Sequence, residues 1–392
     1  METRHSLYSL IKHISLIAIT AMMWACAADT DKEGNAESTQ LIPLSEEYDE
    51  SENIWGFIDK TGAIVIEGDY DEVNNFADGR AAFRSKAKWG YINNSGEKVI
   101  PAAYYNAFNF EDGMAKVSNF ERNYGVIDKK GNTVIPFLYK DMRTFSEGLC
   151  AVRLAEKWAY IDQQNKEIIS AQFDAATDFK NGVAIVKKED NYFLISKMGK
   201  KISKYYDRIS ALQNGNYKFK KEGKFGIINA KDQTIISPNY QSISQSNGEI
   251  VAVKIDDKYQ LLNQDRTELR SPDNEGIKFL GEERWSFVKN GKYGLLDNGG
   301  NVVLTPKYNM ITNFKNGFAS YQSDELWGYI DLNGDVLTPP IFGLTWEFRE
   351  GLARVIAREG ICFIDRRGKL AFVADNFDVR DFHEGLARMP IN

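Results

Sequence analysis

Apolar positions along the chain fall in short alternating runs, separated at regular intervals by glycine, aspartate, asparagine and proline. The clearest run is Leu326-Trp327-Gly328-Tyr329-Ile330-Asp331. Its aromatic and β-branched residues predict a strand, and no stretch of the repeating region shows helical periodicity. Successive side chains of a strand point to opposite faces, so Trp327 and Tyr329 share one face and Gly328 and Ile330 the other. Both faces carry apolar groups, which predicts a strand covered on both sides. Gly328 has no Cβ, so a neighbouring ring or backbone can approach it closely. The strand ends at Asp331, with Gly334 three residues on. An aspartate that caps backbone N–H groups, followed by a glycine free to take positive φ, predicts a tight hairpin with a bulge. A second strand follows, as in Asn301-Val302-Val303-Leu304-Thr305-Pro306, with proline expected to end its ladder. Two aromatics then stand five or six residues apart, as at Tyr308 and Phe314, an interval suited to a compact connection or a short irregular strand. Another glycine opens a third strand, as in Gly351-Leu352-Ala353-Arg354-Val355.

This succession recurs. The anchors are Trp55, Trp89, Tyr124, Trp158, Tyr192, Phe225, Tyr259, Tyr293 and Trp327, with Ile361 in that place last. They are 33 to 35 residues apart, and a period held that tightly is the mark of a repeat architecture. The predicted fold is all-β: a tandem array of about ten 34-residue antiparallel units over residues 54–392. The chain enters at an aromatic-Gly strand and reaches Gly385-Leu386-Ala387-Arg388-Met389 in its last unit. That phase allows the last strand to pair beside the first in a propeller-like or toroidal ring. It equally allows an open β-superhelix with protected ends.

These features resemble the WG-repeat (KWG-related) family of bacterial proteins. The resemblance rests on Trp55-Gly56-Phe57-Ile58-Asp59, Trp89-Gly90-Tyr91-Ile92-Asn93 and Trp327-Gly328-Tyr329-Ile330-Asp331, and it covers about residues 54–389. The middle departs from the pattern: Trp158-Ala159, Tyr192-Phe193 and Tyr259-Gln260 lack the glycine. The resemblance implies an all-β interaction scaffold and brings no catalytic residues.

Composition narrows the functional classes. Hydrophobic residues make up 43 % of the chain, enough for a packed core, and the net charge of −6 argues against a general nucleic-acid binder. Residues 1–26 read as a signal peptide: Arg4 and Lys12 precede the apolar run Ile14 to Trp24, which is too short to span a bilayer. Ala25-Cys26 resembles a bacterial lipoprotein signal, which implies lipid on Cys26, although Met23 and Trp24 depart from its usual residues. Cleavage near Ala25 or Ala28 without lipid is the alternative. Residues 27–53 are acidic and poor in apolar groups, and read as a disordered tether. Acids shortly after a lipidated cysteine resemble the export signal of surface lipoproteins. Together these features place the protein in the bacterial envelope as an outer-membrane lipoprotein, joined to the membrane through the N-terminal lipid alone.

Candidate chemistry is sparse. His383 is the one histidine outside the leader, in a turn position that varies between units, and is expected to be exposed. With Cys150 and Cys362 expected as separate buried thiols, neither a zinc site nor a Cys/His or Ser/His catalytic set has its parts. No catalytic residue, metal or cofactor is expected. The repeated aspartates are accounted for by turns rather than by calcium, which needs a denser ligand set. Two departures from the repeat are candidate binding residues. One is a lysine-rich stretch that includes Lys200, Lys201, Lys220 and Lys221 and suits an anionic glycan or head group, or simply a solvated face. The other is the off-register pair Trp285 and Trp346, which could stack on a sugar or pack between units. The leading expectation is a non-enzymatic envelope scaffold that binds another protein. A glycan or peptidoglycan-fragment binder is second, and a hydrolase in the degenerate middle units is third. Functional residues are expected where the motif fails, at roughly 187–290.

Overall fold

A computed structural model describes residues 54–391, apart from 213, 245–249, 264, 266 and 270–271. The expected leader, Cys26, the tether and the turn glycine at 248 lie outside the described residues. The rest is a ten-blade β-propeller: ten small antiparallel sheets with no helix among the described residues. A typical blade runs Glu72–Val73, Ala81–Ser85, Lys88–Ile92 and Lys98–Tyr104, each strand paired with the next. The connection that sequence leaves irregular is thus a strand of two residues. The ring closes. Ala387–Pro390 pairs antiparallel with Trp55–Ile58, with Trp55 opposite Pro390 and Ile58 opposite Ala387. This pairing decides between the ring and the open superhelix.

The aromatic-Gly motif has a local cause. In the blade of Trp327, Trp327 faces Phe342 while Tyr329 faces Thr338, so the seven-residue strand Val336–Phe342 arches outward between the two pairs. A Cβ on Gly328 would lie 2.5 Å from the carbonyl oxygen of Thr338 and 2.7 Å from that of Pro339. Only glycine fits beneath the arch. Proline therefore does not end this strand, as the sequence led us to expect. Pro101, Pro306 and Pro339 each lie inside it, at the bulge where the ladder has already lost its regular bonds. The aromatic that follows comes back opposite the anchor, as in Trp55 with Tyr70, Trp89 with Tyr104 and Trp327 with Phe342.

The two aromatics of the motif differ in burial. The anchors from Trp55 to Trp327 are half-buried, whereas Tyr91, Tyr160 and Tyr329 are inaccessible. Their hydroxyls cross to the next blade, where Tyr91 donates to Phe108 O at 2.7 Å, Tyr160 to Thr177 O at 2.8 Å and Tyr329 to Trp346 O at 2.6 Å. The second aromatic is thus both core and strut.

Candidate functional site

The hairpin between the first and second strands of a blade is a two-residue turn, with positive φ at both positions, for example Asp78 (53°) and Gly79 (70°). Positive φ favours glycine second and tolerates an acid or asparagine first. The structure uses that first residue to join blades. Asp78 accepts from the amide of Gly113 at 2.7 Å, Glu147 from Gly182 at 2.9 Å, Glu282 from Gly317 at 2.9 Å and Glu350 from Gly385 at 3.0 Å. Glu384 closes the circle by accepting from Gly79 at 2.9 Å. At three junctions a lysine from the Asp-x-x-Gly turn of that next blade joins in: Lys129 lies 2.5 Å from Asp78, Lys197 3.1 Å from Glu147 and Lys60 3.0 Å from Glu350. The Lys129 hydrogen bond holds the Asp78 carboxyl below its ordinary range.

Asp112, like Asn181 and Asn316 at the same position, makes no such bond. Its bond to Gly148 is missing, and the residue placed to supply the lysine is Gln163. A cavity of about 600 Å³ opens there, within the usual size of a ligand site. Its lining reaches from Arg388 and Asn74 to Gln163 and includes Asp112 and Gly148. First strands of successive blades converge on it, which places those strands on the inner side of the ring. Asn75 and Asn109 hold the same place in neighbouring blades, with Thr144 next.

The wall carries three cations. Lys116 donates to Met142 O at 2.9 Å and lies 4.2 Å from the centre of the Phe108 ring; burial lowers its pKa. Arg388 donates to Val73 O in the same manner. Arg143 differs: its guanidinium is exposed, lies 5.6 Å from the Trp158 ring centre and makes no ion pair. Below this wall Cys150 is buried and its thiol is pushed up to about 12, while burial also raises Asp178. Glu111 and Asp112 supply opposite charge at the hairpin. The arrangement can hold a ligand by hydrogen bonds and ion pairs. Among the described residues no group of three or more His, Cys, Asp or Glu side chains is placed to hold a metal ion.

A model described as "WG containing repeat" matches residues 55–89, 89–119, 124–158, 158–192, 225–259, 293–327 and 327–356, more than half of the chain. The chain belongs to the WG-containing-repeat family. No curated protein matches it. Among solved structures it is similar to a eukaryotic initiation factor at 12% identity, covering 82% of this chain and 96% of that one with a TM-score of 0.45. It is also similar to the computationally designed Ika8 protein at 13% identity, covering 68% and 95% with a TM-score of 0.37. BamB from Moraxella catarrhalis is similar at 10% identity, covering 64% and 88% with a TM-score of 0.33. None of these likenesses bears on function.

Within this WG-repeat propeller, the residues singled out from sequence do not form one site. Trp285 is fully buried, packs on Phe279 and donates to Asn298 at 3.0 Å, so it offers no face to a sugar. Trp346 is half-buried, and the Arg354 guanidinium covers it at 4.1 Å. Lys200 and Lys201 follow a turn of the Asp-x-x-Gly type, whereas Lys220 and Lys221 abut the turn between second and third strands. In an antiparallel meander those turns lie at opposite ends of the blades, so the four lysines form no common patch. Lys201 is spent on the Tyr205 ring at 3.7 Å, and Lys220 lies 5.6 Å from the Phe225 ring. His383 is half-buried rather than exposed, and burial lowers its pKa. The cavity falls outside the degenerate middle, in well-formed repeats. No sequence signal marks it, since the place of Gln163 holds lysine in only three units, at Lys60, Lys129 and Lys197, and varies in the rest.

Proposed function

We propose that this WG-repeat propeller is a non-catalytic scaffold of the bacterial envelope, tethered by lipid on Cys26, that recognises another envelope protein. The observation that supports this reading is the cavity beside Asp112. Residues of several repeats meet there, and their polar groups are not spent on one another. Catalysis needs a nucleophile or acid–base pair within reach of a shared point. The groups around this cavity are amides, turn acids, two cations held by carbonyls and the exposed Arg143, a set suited to recognition. Of the rings that line the cavity, Phe145 is half-buried and the exposed Phe108 has Lys116 against it. Proteins captured from native envelope by the purified full chain test the reading. Selective retention of a protein supports it. Retention of polysaccharide with no protein overturns it. Labelling with an alkyne fatty acid that is lost in Cys26→Ala supports the tether, and equal labelling of that variant removes it.

A further inference from the structure

The cavity beside Asp112 holds polar groups that the chain itself leaves unused. Among the described residues, the side-chain amides of Asn74, Asn75 and Asn109 make no hydrogen bond. An amide offers both a donor and an acceptor, the same pair that a peptide main chain presents. Asn75 and Asn109 occupy one place in consecutive blades, so they form a short row along the inner wall. Arg143 stands beside this row with no carboxylate at ion-pair distance, only the buried Asp178 within its field, while Lys116 and Arg388 are occupied by the carbonyls of Met142 and Val73. At the hairpin, Glu111 and Asp112 are free of the bonds that commit Asp78 to Gly113 and Glu147 to Gly182. The cavity thus carries a cation, a row of amides and a pair of acids.

We propose that this cavity binds an extended peptide segment of a partner protein. The three asparagines pair with its main chain, Arg143 meets an acidic side chain, and Glu111 with Asp112 meets a basic one. The proposal rests on the scaffold reading above and narrows it to a place and a chemistry. Extended peptides gain affinity from main-chain hydrogen bonds and specificity from side-chain contacts. A fork-shaped guanidinium suits a carboxylate better than a lysine does. A sugar would instead stack on an aromatic face, and the exposed ring at this cavity, Phe108, has Lys116 seated against it.

The test uses the full chain and four immobilised pools of capped hexapeptides: one Asp with one Lys, two Asn, two Asp, and two Lys. The Asp/Lys pool is expected to be retained best. Arg143→Gln should weaken that retention by roughly tenfold, the scale of one charge-assisted contact. Asn109→Ala should weaken all pools alike. Both side chains are exposed, and unchanged melting curves show that the variants fold. Equal retention of the four pools, no retention of any, or an undiminished Arg143→Gln variant overturns the proposal. Envelope capture separates this failure from failure of the scaffold reading. A partner held equally by wild type and Arg143→Gln refutes the cavity alone, whereas no partner held by wild type refutes the scaffold.

Discussion

Glu384 accepts a hydrogen bond from the amide of Gly79 at 2.9 Å, the same bond that Glu350 takes from Gly385 at 3.0 Å. The seam between the last and first repeats is therefore locked like an ordinary blade junction. Glu384→Ala should destabilise by about 1 kcal/mol, in the range of a partly exposed hydrogen bond to a charged group. Glu350→Ala should cost somewhat more, since it also loses Lys60 at 3.0 Å. Denaturant titration followed by circular dichroism measures both. A seam weaker than the other junctions would instead show a separate early transition in Glu384→Ala.

Tyr329 is the buried strut, and Trp327 is its half-exposed companion. Tyr329→Ala should cost roughly 3–5 kcal/mol as a large-to-small core change, and Trp327→Ala clearly less. Tyr329→Phe keeps the ring and removes the hydroxyl that bonds Trp346 O and meets the Ser320 and Thr345 side chains, and should cost about 1–2 kcal/mol. Equilibrium unfolding of the three variants checks the order. Equal losses at Trp327 and Tyr329 would contradict the burial difference.

Gly328 lies under backbone rather than under a flexible side chain. Gly328→Ala should therefore destabilise by about 2–3 kcal/mol, as overpacking does where the neighbour cannot yield. Gly79, which has open space around it but φ of 70°, offers a contrast, because substitution there meets only backbone strain. Thermal melts of Gly328→Ala and Gly79→Ala compare the two causes.

Several turn and junction acids set the pH response. Asp59, Asp78, Asp128 and Asp174 are held below 3.8, chiefly by hydrogen bonds from Thr61, Lys129, Asn132 and Lys157 respectively. A carboxyl depressed on folding adds stability above its unfolded pKa and loses it as pH falls through the folded value. Stability should therefore be level near neutrality and fall once the pH drops below about 4. Denaturant midpoints from pH 7 to pH 3 test this. A midpoint that rises on acidification would refute the assignment.

Cys150, with its thiol pushed up to about 12 by burial, should resist iodoacetamide at pH 8 in the native protein. Alkylation at Cys150 should follow global unfolding, read by peptide mapping across a denaturant series. Rapid labelling without denaturant would show that the second strand of that blade opens locally.

The period, the strands and the turns were legible because each answers to a local constraint: glycine beneath an arch, aspartate capping its own turn, an aromatic filling a blade. Closure was left open because the same repeat unit serves a ring or a spiral. Residues 387–390 decide it by pairing with 55–58. Proline was misplaced at the strand end because a bulge has no fixed residue signature, and Pro339 reads alike at a terminus or in an arch. The cavity was hidden for another reason. It arises where first strands of several blades meet, and its lining, from Asn74 to Gln163 with Arg388, is drawn from repeats far apart in sequence, so no single repeat carries its signal.

The pairing of 387–390 with 55–58 also orders the history of each molecule. The first strand to be synthesised keeps a bare hydrogen-bonding edge until the final strand arrives, so every nascent chain carries an open template for strand addition while the other blades form. A chain stalled before residue 387 would hold that edge indefinitely and could recruit the final strand of a second copy, yielding linked propellers in place of a single closed one.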